Sequence, residues 1–337
     1  MLLRKNKLIL LVIMTIFCTT SLARNLTSHN EIRSDPATPT YAIQYPNQVN
    51  KLLNEINPQE MWENLTFLTT FPDRGADHDS GVQAAHWIKS QVENIAKKYG
   101  RNDISVYFIE TGNVLGYGDI KQPSVVVKIG NSSEAAIVIG AHIDTVECEK
   151  EGCAGEKPAP GADDDGSGAV TILEASRTLI ASNLHFQRPI YLIWYAAEEW
   201  GDVGSQRVVK EFKEQNIPVK AVMQLDQTGY AYKNDSTMWL FNDENLNPAL
   251  TSYLETLINT YIKQPVKFTQ GGNSDEESWL DTGYPVARPA EADYQHSQMN
   301  PYTHNSTDTM DKLSLNHMTD YLKLVIAFAV ELAEPIS

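Results

Sequence analysis

The sequence of 337 residues predicts an α/β fold in which a mixed, mainly parallel β-sheet lies between two layers of helices, a three-layer arrangement. Two kinds of apolar pattern alternate along it. Short runs rich in β-branched residues, such as Ser124–Ile129, predict strands. Longer segments with apolar residues every three or four positions, such as Ser80–Tyr99, predict helices. The run Pro189–Tyr195 is apolar on both faces, which is typical of a strand that is covered on both sides.

The predicted domain covers residues 46–337, and the segment before it divides in two. Residues 1–23 begin with a basic stretch, continue with the apolar run Leu8–Phe17 and end in small residues at Ala23, which is the arrangement of a secretory signal peptide. The apolar run is roughly half the length that spans a bilayer, so a permanent membrane anchor is the less favoured interpretation. Residues 24–45 are polar and contain prolines, which predicts a leader or a pro-segment.

The chain is strongly acidic, with a net charge of −16. Such a surface repels nucleic acid and anionic membranes, and it fits a soluble protein that is secreted into the periplasm or the medium. Export also permits a disulfide between Cys148 and Cys153. The sequence leaves open whether that bond forms or two thiols remain free.

The first elements of the domain are two helices, predicted over Val49–Phe67 and Ser80–Tyr99. Two β-rich runs follow, Ser124–Ile129 and Ala135–Gly140, and they are separated by a polar turn that predicts neighbouring strands.

After Gly140 helices and strands alternate, which predicts crossover connections and therefore parallel strands. The predicted elements are a helix over Ser167–Ala181, a strand over Pro189–Tyr195, a helix over Gly204–Asn216, a strand over Val219–Leu225, a helix over Leu246–Ile262, a short strand over Val266–Phe268 and a final helix over Met318–Leu332.

Acidic residues and histidines follow the predicted strands directly. His142 and Asp144 come after one strand, Glu198 and Glu199 after the next, and Asp226 after a third. Because a site in such a sheet lies at the carboxyl ends of its strands, these side chains are predicted to converge. Two loops add ligand types of the same kind, the acidic loop Gly161–Gly168 and the loop Asn300–Asn305 with His304.

Each of these residues alone has a plainer interpretation, since loop acids are usually solvated and Asp163–Asp165 could cap a helix. Their joint placement favours a metal site, because acids that share one site repel each other and a divalent cation removes the conflict. Two histidines and three carboxylates exceed what one catalytic zinc takes, which indicates two metals that share a carboxylate. Asp144 is placed to accept the second ring N–H of His142. Of the adjacent pair Glu198 and Glu199, one can bind metal while the other accepts a proton.

Other catalytic signatures are absent from the sequence. It contains no His-Glu-x-x-His helix, no Gly-x-Ser-x-Gly elbow, no phosphate-binding Gly-x-x-x-x-Gly-Lys-Ser/Thr loop and no Cys-x-x-Cys pair. The common zincins, the serine hydrolases and the nucleotide hydrolases are therefore disfavoured.

From Val49 onward the chain resembles peptidase family M28, and within it the secreted bacterial leucyl aminopeptidases, which have the zinc-exopeptidase type of fold. The blocks that carry the resemblance are Gly140–Thr145, Pro160–Gly168, Tyr195–Gly201, Gln224–Asp226 and Tyr302–His304.

The resemblance implies a role for each matching position. Asp164 would bridge two zinc ions, His142 and Asp226 would complete one metal, Glu199 and His304 would complete the other, Glu198 would be the general base and Asp144 would orient His142. It also implies a cis peptide between Asp164 and Asp165. A hydroxide bridging the zincs would attack the scissile carbonyl of a peptide with a free N-terminus. The enzyme is expected to be a monomer.

The side-chain pocket is expected in the segments 269–279 and 289–294. Relatives can carry a disulfide near the first of these segments, where this chain has no cysteine. The small residues Gly271, Gly272 and Ala290 suit an apolar first residue such as Leu, Phe or Tyr. Acidic residues in the same segments suit Lys or Arg instead: Glu276, Glu277, Glu291 and Asp293. The alternatives for function are a glutaminyl-cyclase-like zinc transferase, a carboxypeptidase or dipeptidase relative, and a non-catalytic binding protein on the same fold.

Overall fold

The structure is a computed structural model that describes residues 41–114, 118–148 and 158–336. The predicted signal peptide, most of the predicted leader and Cys153 lie outside the described residues. Cys148 is disulfide-bonded. The compact unit that holds the described residues extends over Pro39–Ser337. Within this part of the chain, no helix has the length and apolar character needed to cross a membrane.

The helices follow one another along the whole unit. They are Pro46–Leu53 (α1), Pro58–Leu68 (α2), Asp79–Lys98 (α3), Gly166–Ala181 (α4), Val203–Glu214 (α5), Pro248–Leu257 (α6), Glu276–Leu280 (α7) and Leu315–Ala333 (α8).

The strands are mostly short. They are Ile104–Ile109 (β1), Gly112–Val114 (β2), Gly118–Ile120 (β3), Ser124–Ile129 (β4), Ala136–His142 (β5), His185–Phe186 (β6), Ile190–Tyr195 (β7), Val219–Gln224 (β8), Met238–Phe241 (β9), Val266–Thr269 (β10), Val286–Ala287 (β11), Pro289–Ala290 (β12) and Pro335–Ile336 (β13).

A six-stranded sheet forms the centre of the fold, in the order β1-β4-β7-β5-β8-β11. Strands β7, β5, β8 and β11 are parallel, whereas β4 is antiparallel to both β1 and β7. The predicted mixed, mainly parallel sheet is therefore confirmed. The antiparallel strands lie at one edge, so the carboxyl ends of β7, β5 and β8 lie side by side.

Helices cover both faces of this sheet, which is the predicted three-layer arrangement. Alternate residues of β7 belong to different cores: Leu192 and Trp194 pack on the face with α3, α4 and α8, while Ile193 and Tyr195 pack on the face with α5 and α7. All four side chains are buried, as expected for a strand that is apolar throughout.

Two predicted helices have different bounds from those expected. The predicted helix Val49–Phe67 is two helices, because Asn57 caps α2 by accepting the Glu60 N–H at 3.2 Å and Pro58 occupies its first turn. The predicted helix Leu246–Ile262 begins at Pro248, and beyond Leu257 it continues as the π-helical turn Ile258–Ile262.

The turn after β7 packs directly against the start of α5. The Val203 N–H donates to the carbonyl of Ala197 at 3.0 Å. A Cβ atom on Gly204 would lie 2.0 Å from the carbonyl oxygen of Ala196, closer than any side-chain atom can approach. Glycine at position 204 therefore sets the distance between α5 and the turn that leads to Glu198.

The substitution Gly204→Ala is expected to lower the free energy of unfolding by about 2 kcal/mol or more, because backbone must move to admit the methyl group. Denaturant titration measures the change. Lys210→Ala, at an exposed position of the same helix, is the matched control and should change stability by less than about 0.5 kcal/mol. Equal stability of the Gly204→Ala protein and the parent would contradict the close contact.

Candidate metal centre

Three neighbouring strands deliver the predicted residues to one edge of the sheet. His142 is the last residue of β5, the turn with Glu198 and Glu199 follows β7, and Asp226 follows β8. The sheet order β7-β5-β8 places these strand ends next to one another. The predicted convergence is therefore present in the fold.

Asp164 lies between the two predicted histidines. Its Oδ1 is 3.1 Å from Nε2 of His142, and its Oδ2 is 3.1 Å from Nε2 of His304. Asp226 Oδ1 lies 3.7 Å from the same His142 nitrogen, and Glu199 Oε2 lies 2.9 Å from the His304 nitrogen. Asp164 thus contacts both histidines, and the ligand atoms of His142, Asp164 and Glu199 all lie within 4.8 Å of one another.

The chemistry of these donors fits a pair of cations. Nε2 of His142 and Oε1 of Glu199 are buried without a hydrogen-bond partner among the described residues. Burial raises the pKa of Glu199 to about 7, and hydrogen bonds to Asp164 and Glu199 raise the pKa of His304 to about 11. Carboxylates and imidazoles at this distance need either protons or a metal between them. Imidazole nitrogen and carboxylate oxygen are both ligands that zinc accepts.

Asp144 fixes the surroundings of His142 in two ways. The His142 Nδ1 lies 3.2 Å from the Asp144 backbone carbonyl and 3.5 Å from its carboxylate. That carboxylate also accepts the backbone N–H groups of Glu198 at 3.0 Å and Glu199 at 3.1 Å. Asp144 therefore holds the imidazole and the turn after β7 together.

Glu198 lies beside the predicted ligands. Its Oε2 is 3.9 Å from Nε2 of His142. Burial raises its pKa well above the ordinary value, and the negative charges of Asp226 and Glu199 act in the same direction. A carboxylate held in such an environment is suited to accept a proton during a reaction.

Of the three consecutive acids in the loop before α4, Asp164 alone has both oxygens directed at the histidines. Asp165 also lies near His142 and Asp226, but its carboxylate accepts three backbone N–H groups, from His142, Gly168 and Gln227, at 3.0–3.1 Å. Asp163 accepts the Gly229 N–H at 2.8 Å. The peptide bond between Asp164 and Asp165 is cis, as the resemblance implies.

Two residues that hold this loop in place were not predicted from the sequence. The buried guanidinium of Arg74 donates to the carbonyls of Ile143, Pro160 and Gly161 at 2.6–2.8 Å, which ties the loop after β5 to the acidic loop. The buried carboxylate of Asp308 accepts the backbone N–H groups of Asp163 and Asp164 at 3.0–3.2 Å. Neither residue belongs to a periodic pattern or a familiar motif, so no sequence signal was available.

A cavity of about 350 Å³ opens from the ligands, and Glu198, Glu199 and Asp226 form part of its wall. Of the two segments predicted to form a side-chain pocket, Gly272, Asn273 and Tyr294 reach the wall. Other wall residues outside these segments were not predicted: Gly201, Asp202, Gln227, Arg288, Met299 and Thr303.

Two of the four predicted acids of the pocket, Glu291 and Asp293, are engaged elsewhere. Glu291 accepts the backbone N–H groups of Tyr230 and Asn300 at 3.1 and 2.8 Å. Asp293 accepts the Thr269 hydroxyl at 3.2 Å and lies 2.7 Å from Nδ1 of His296. Neither carboxylate is on the cavity wall.

The chain is similar in sequence and structure to known peptidases. The profile of peptidase family M28 matches residues 124–329. Leucine aminopeptidase 1 of Emericella nidulans is 35% identical over 302 residues, which cover 86% of this chain and 74% of that protein. The crystal structure of the LapA aminopeptidase of Legionella pneumophila is 45% identical with a TM-score of 0.82, over 90% of this chain and 77% of that one. LapB of the same organism is 42% identical with a TM-score of 0.80, over 87% and 76%.

The substitution Asp308→Asn is expected to weaken zinc binding by about tenfold to a hundredfold, because an amide replaces one of the two acceptor oxygens that orient the loop of Asp164. Competition with a chromogenic chelator measures the affinity, and far-UV circular dichroism checks the fold. Asp311→Asn, three residues along the chain and without a contact to that loop, is the control. Unchanged affinity in the Asp308→Asn protein would show that the loop does not need this acceptor.

Proposed function

We propose, from the premise that this chain belongs to peptidase family M28 and is a metallo-aminopeptidase, that it binds two zinc ions and removes the N-terminal residue of peptides. The family relationship implies zinc, and the count of two is our proposal. The similarity to aminopeptidases favours this function over the alternatives that the sequence left open, a glutaminyl-cyclase-like transferase, a carboxypeptidase or dipeptidase relative and a non-catalytic binding protein.

The observation that carries the proposal of two ions is the position of Asp164. Each of its oxygens is directed at a different histidine; Asp226 and Glu198 lie near the Nε2 atom of His142, and Glu199 lies near that of His304. A single ion would use one oxygen and leave the second group of ligands without a charge partner. We therefore assign Asp164 as the bridging ligand. His142 and Asp226 are assigned to one ion, and Glu199 and His304 to the other.

When bound, the zinc ions supply positive charge that polarises the scissile carbonyl and lowers the pKa of a water molecule. Glu198 takes the proton of the attacking water on its carboxylate and gives it to the leaving nitrogen. Asp144 keeps the Glu198 backbone and the His142 ring in place through its three contacts. The side chains of the site thus hold the ions, accept the proton and return it.

The acids around the cavity also suit a substrate with a free N-terminus. The α-amino group is attracted to the carboxylates of the wall that are assigned to no ion, Glu198 and Asp202. The cavity volume of about 350 Å³ suits one residue rather than an extended peptide. Both features favour cleavage after the first residue.

For that first residue we propose an uncharged, apolar or aromatic side chain of the leucine type. The relatives described above include a leucine aminopeptidase. Glu291 and Asp293, which could have favoured Lys or Arg, are occupied by other hydrogen bonds. We further propose that the enzyme is secreted, on the signal-peptide pattern of residues 1–23, and that it acts as a monomer.

The adjacent residues Glu198 and Glu199 are expected to respond differently to the same substitution. Glu198→Gln should lower kcat at least about a hundredfold while zinc content stays at the parent value, because it removes the proton acceptor and no ligand. Glu199→Gln should lower zinc content, because it removes a ligand. Hydrolysis of leucine 4-nitroanilide and elemental analysis of the same samples give both quantities. Substantial activity in the Glu198→Gln protein would exclude Glu198 as the base.

Removal of metal by a chelator is expected to abolish hydrolysis, and added zinc should restore it. The metal-saturated parent should contain two zinc ions per chain, and His304→Ala should contain one, since His142 and Asp226 still serve the first ion. Elemental analysis after gel filtration measures both. His296→Ala, at an exposed histidine away from the ligands, controls for incidental binding. A value of one in the saturated parent would refute the two-ion site.

A further inference from the structure

We infer that Arg288, with Glu276 behind it, determines which charge the first residue of the substrate can carry, and that this pair excludes lysine and arginine. The inference rests on the proposed function, because it concerns the substrate side chain that the same cavity accepts.

Arg288 is held rigidly although it lies at the cavity wall. It follows β11 and is 3% exposed. One guanidinium nitrogen lies 2.9 Å from Oε1 of Glu276, and the other lies 3.5 Å from Oδ2 of Asp226. The guanidinium carbon lies 4.2 Å from the centre of the Phe241 ring. Contacts in three directions fix the plane of the guanidinium, as expected for a planar, delocalised cation.

The guanidinium is within reach of a bound side chain. Arg288, Gly272 and Tyr294 belong to the same wall of the cavity. A Cβ atom on Gly272 would lie 3.4 Å from the Tyr294 ring and 3.8 Å from the guanidinium, so any larger residue would cover this surface. The Arg288 Nε is buried without a hydrogen-bond partner among the described residues. Glycine at position 272 therefore leaves uncovered the small part of Arg288 that reaches the cavity wall.

Glu276 is hidden behind Arg288. The two residues and Gly272 line a smaller space of about 110 Å³, and Glu276 does not reach the wall of the larger cavity. Its Oε2 is buried without a partner among the described residues, while Oε1 binds Arg288. From the cavity, a substrate thus meets the positive member of the pair first.

This order of charges selects against a cationic first residue. A lysine or arginine side chain would be placed against the Arg288 guanidinium with little water between them, and like charges brought together in this way are costly. An apolar or aromatic side chain can instead pack on the flat face of the guanidinium and on Tyr294. Removal of Arg288 would uncover the Glu276 carboxylate, which would then attract a cation.

The test compares kcat/KM for leucine and lysine 4-nitroanilides with the zinc-loaded parent, Arg288→Met, Arg288→Lys and the double variant Glu276→Gln/Arg288→Met. The parent should favour leucine by about a hundredfold or more, and Arg288→Met should reduce that ratio at least about tenfold. Arg288→Lys keeps the charge and should keep the parent ratio. The double variant removes the uncovered carboxylate and should restore discrimination against lysine.

The ratio is used because Arg288 also contacts Asp226, so its loss is expected to lower both rates together. If Arg288→Met fails to fold with an unpaired Glu276, the parent, the lysine variant and the double variant still decide the question. Equal rates of the parent on both substrates, a lost preference in Arg288→Lys, or an unchanged ratio in Arg288→Met would overturn the inference. In the first case Asp202, the remaining acid on the wall, would be the residue to examine. Absence of zinc-dependent leucine hydrolysis in the parent would refute the proposed function instead.

Discussion

The structure depends on one constraint: several carboxylates must lie together, out of water, at the carboxyl edge of a sheet. Asp164 is in contact with two histidines, and Glu198, Glu199 and Asp226 surround them. Like charges in this arrangement separate unless the backbone holds them. Much of the surrounding loop structure serves that purpose: Asp165, Asp308 and Asp144 accept backbone N–H groups, and the guanidinium of Arg74 joins two loops through their carbonyls.

The sequence predicted the sheet and the convergence of the site because both follow from position along the chain. A residue directly after a parallel strand lies at the sheet edge regardless of packing details, which is why His142, Glu198 and Asp226 could be placed. The assignment of ligand and base roles stays a prediction. The roles of Arg74 and Asp308 could not be predicted, because their partners are backbone carbonyl and N–H groups of distant loops. Such contacts produce no periodic pattern in the sequence. Strand β1 at the sheet edge was likewise not predicted.

Charge near a predicted pocket was a poor guide to charge in the cavity. Glu291, Asp293 and Glu276 all belong to segments that were expected to line it, yet each carboxylate is turned to a backbone N–H, a hydroxyl or a guanidinium. A sequence shows that acidic residues are present but not which groups they neutralise. The residue that brings positive charge to the wall, Arg288, lies between the strands β11 and β12, where it resembles an ordinary strand-edge arginine.

The two backbone contacts of Asp144 have a wider consequence. One carboxylate accepts the backbone N–H groups of both Glu198 and Glu199. The proposed base and the proposed ligand therefore depend on the same hydrogen-bond acceptor. A substitution that displaces the turn after β7 displaces both glutamates together. Proton transfer by the proposed base and ion binding by the proposed ligand are therefore coupled through one carboxylate, and a change that moves this turn is expected to impair both.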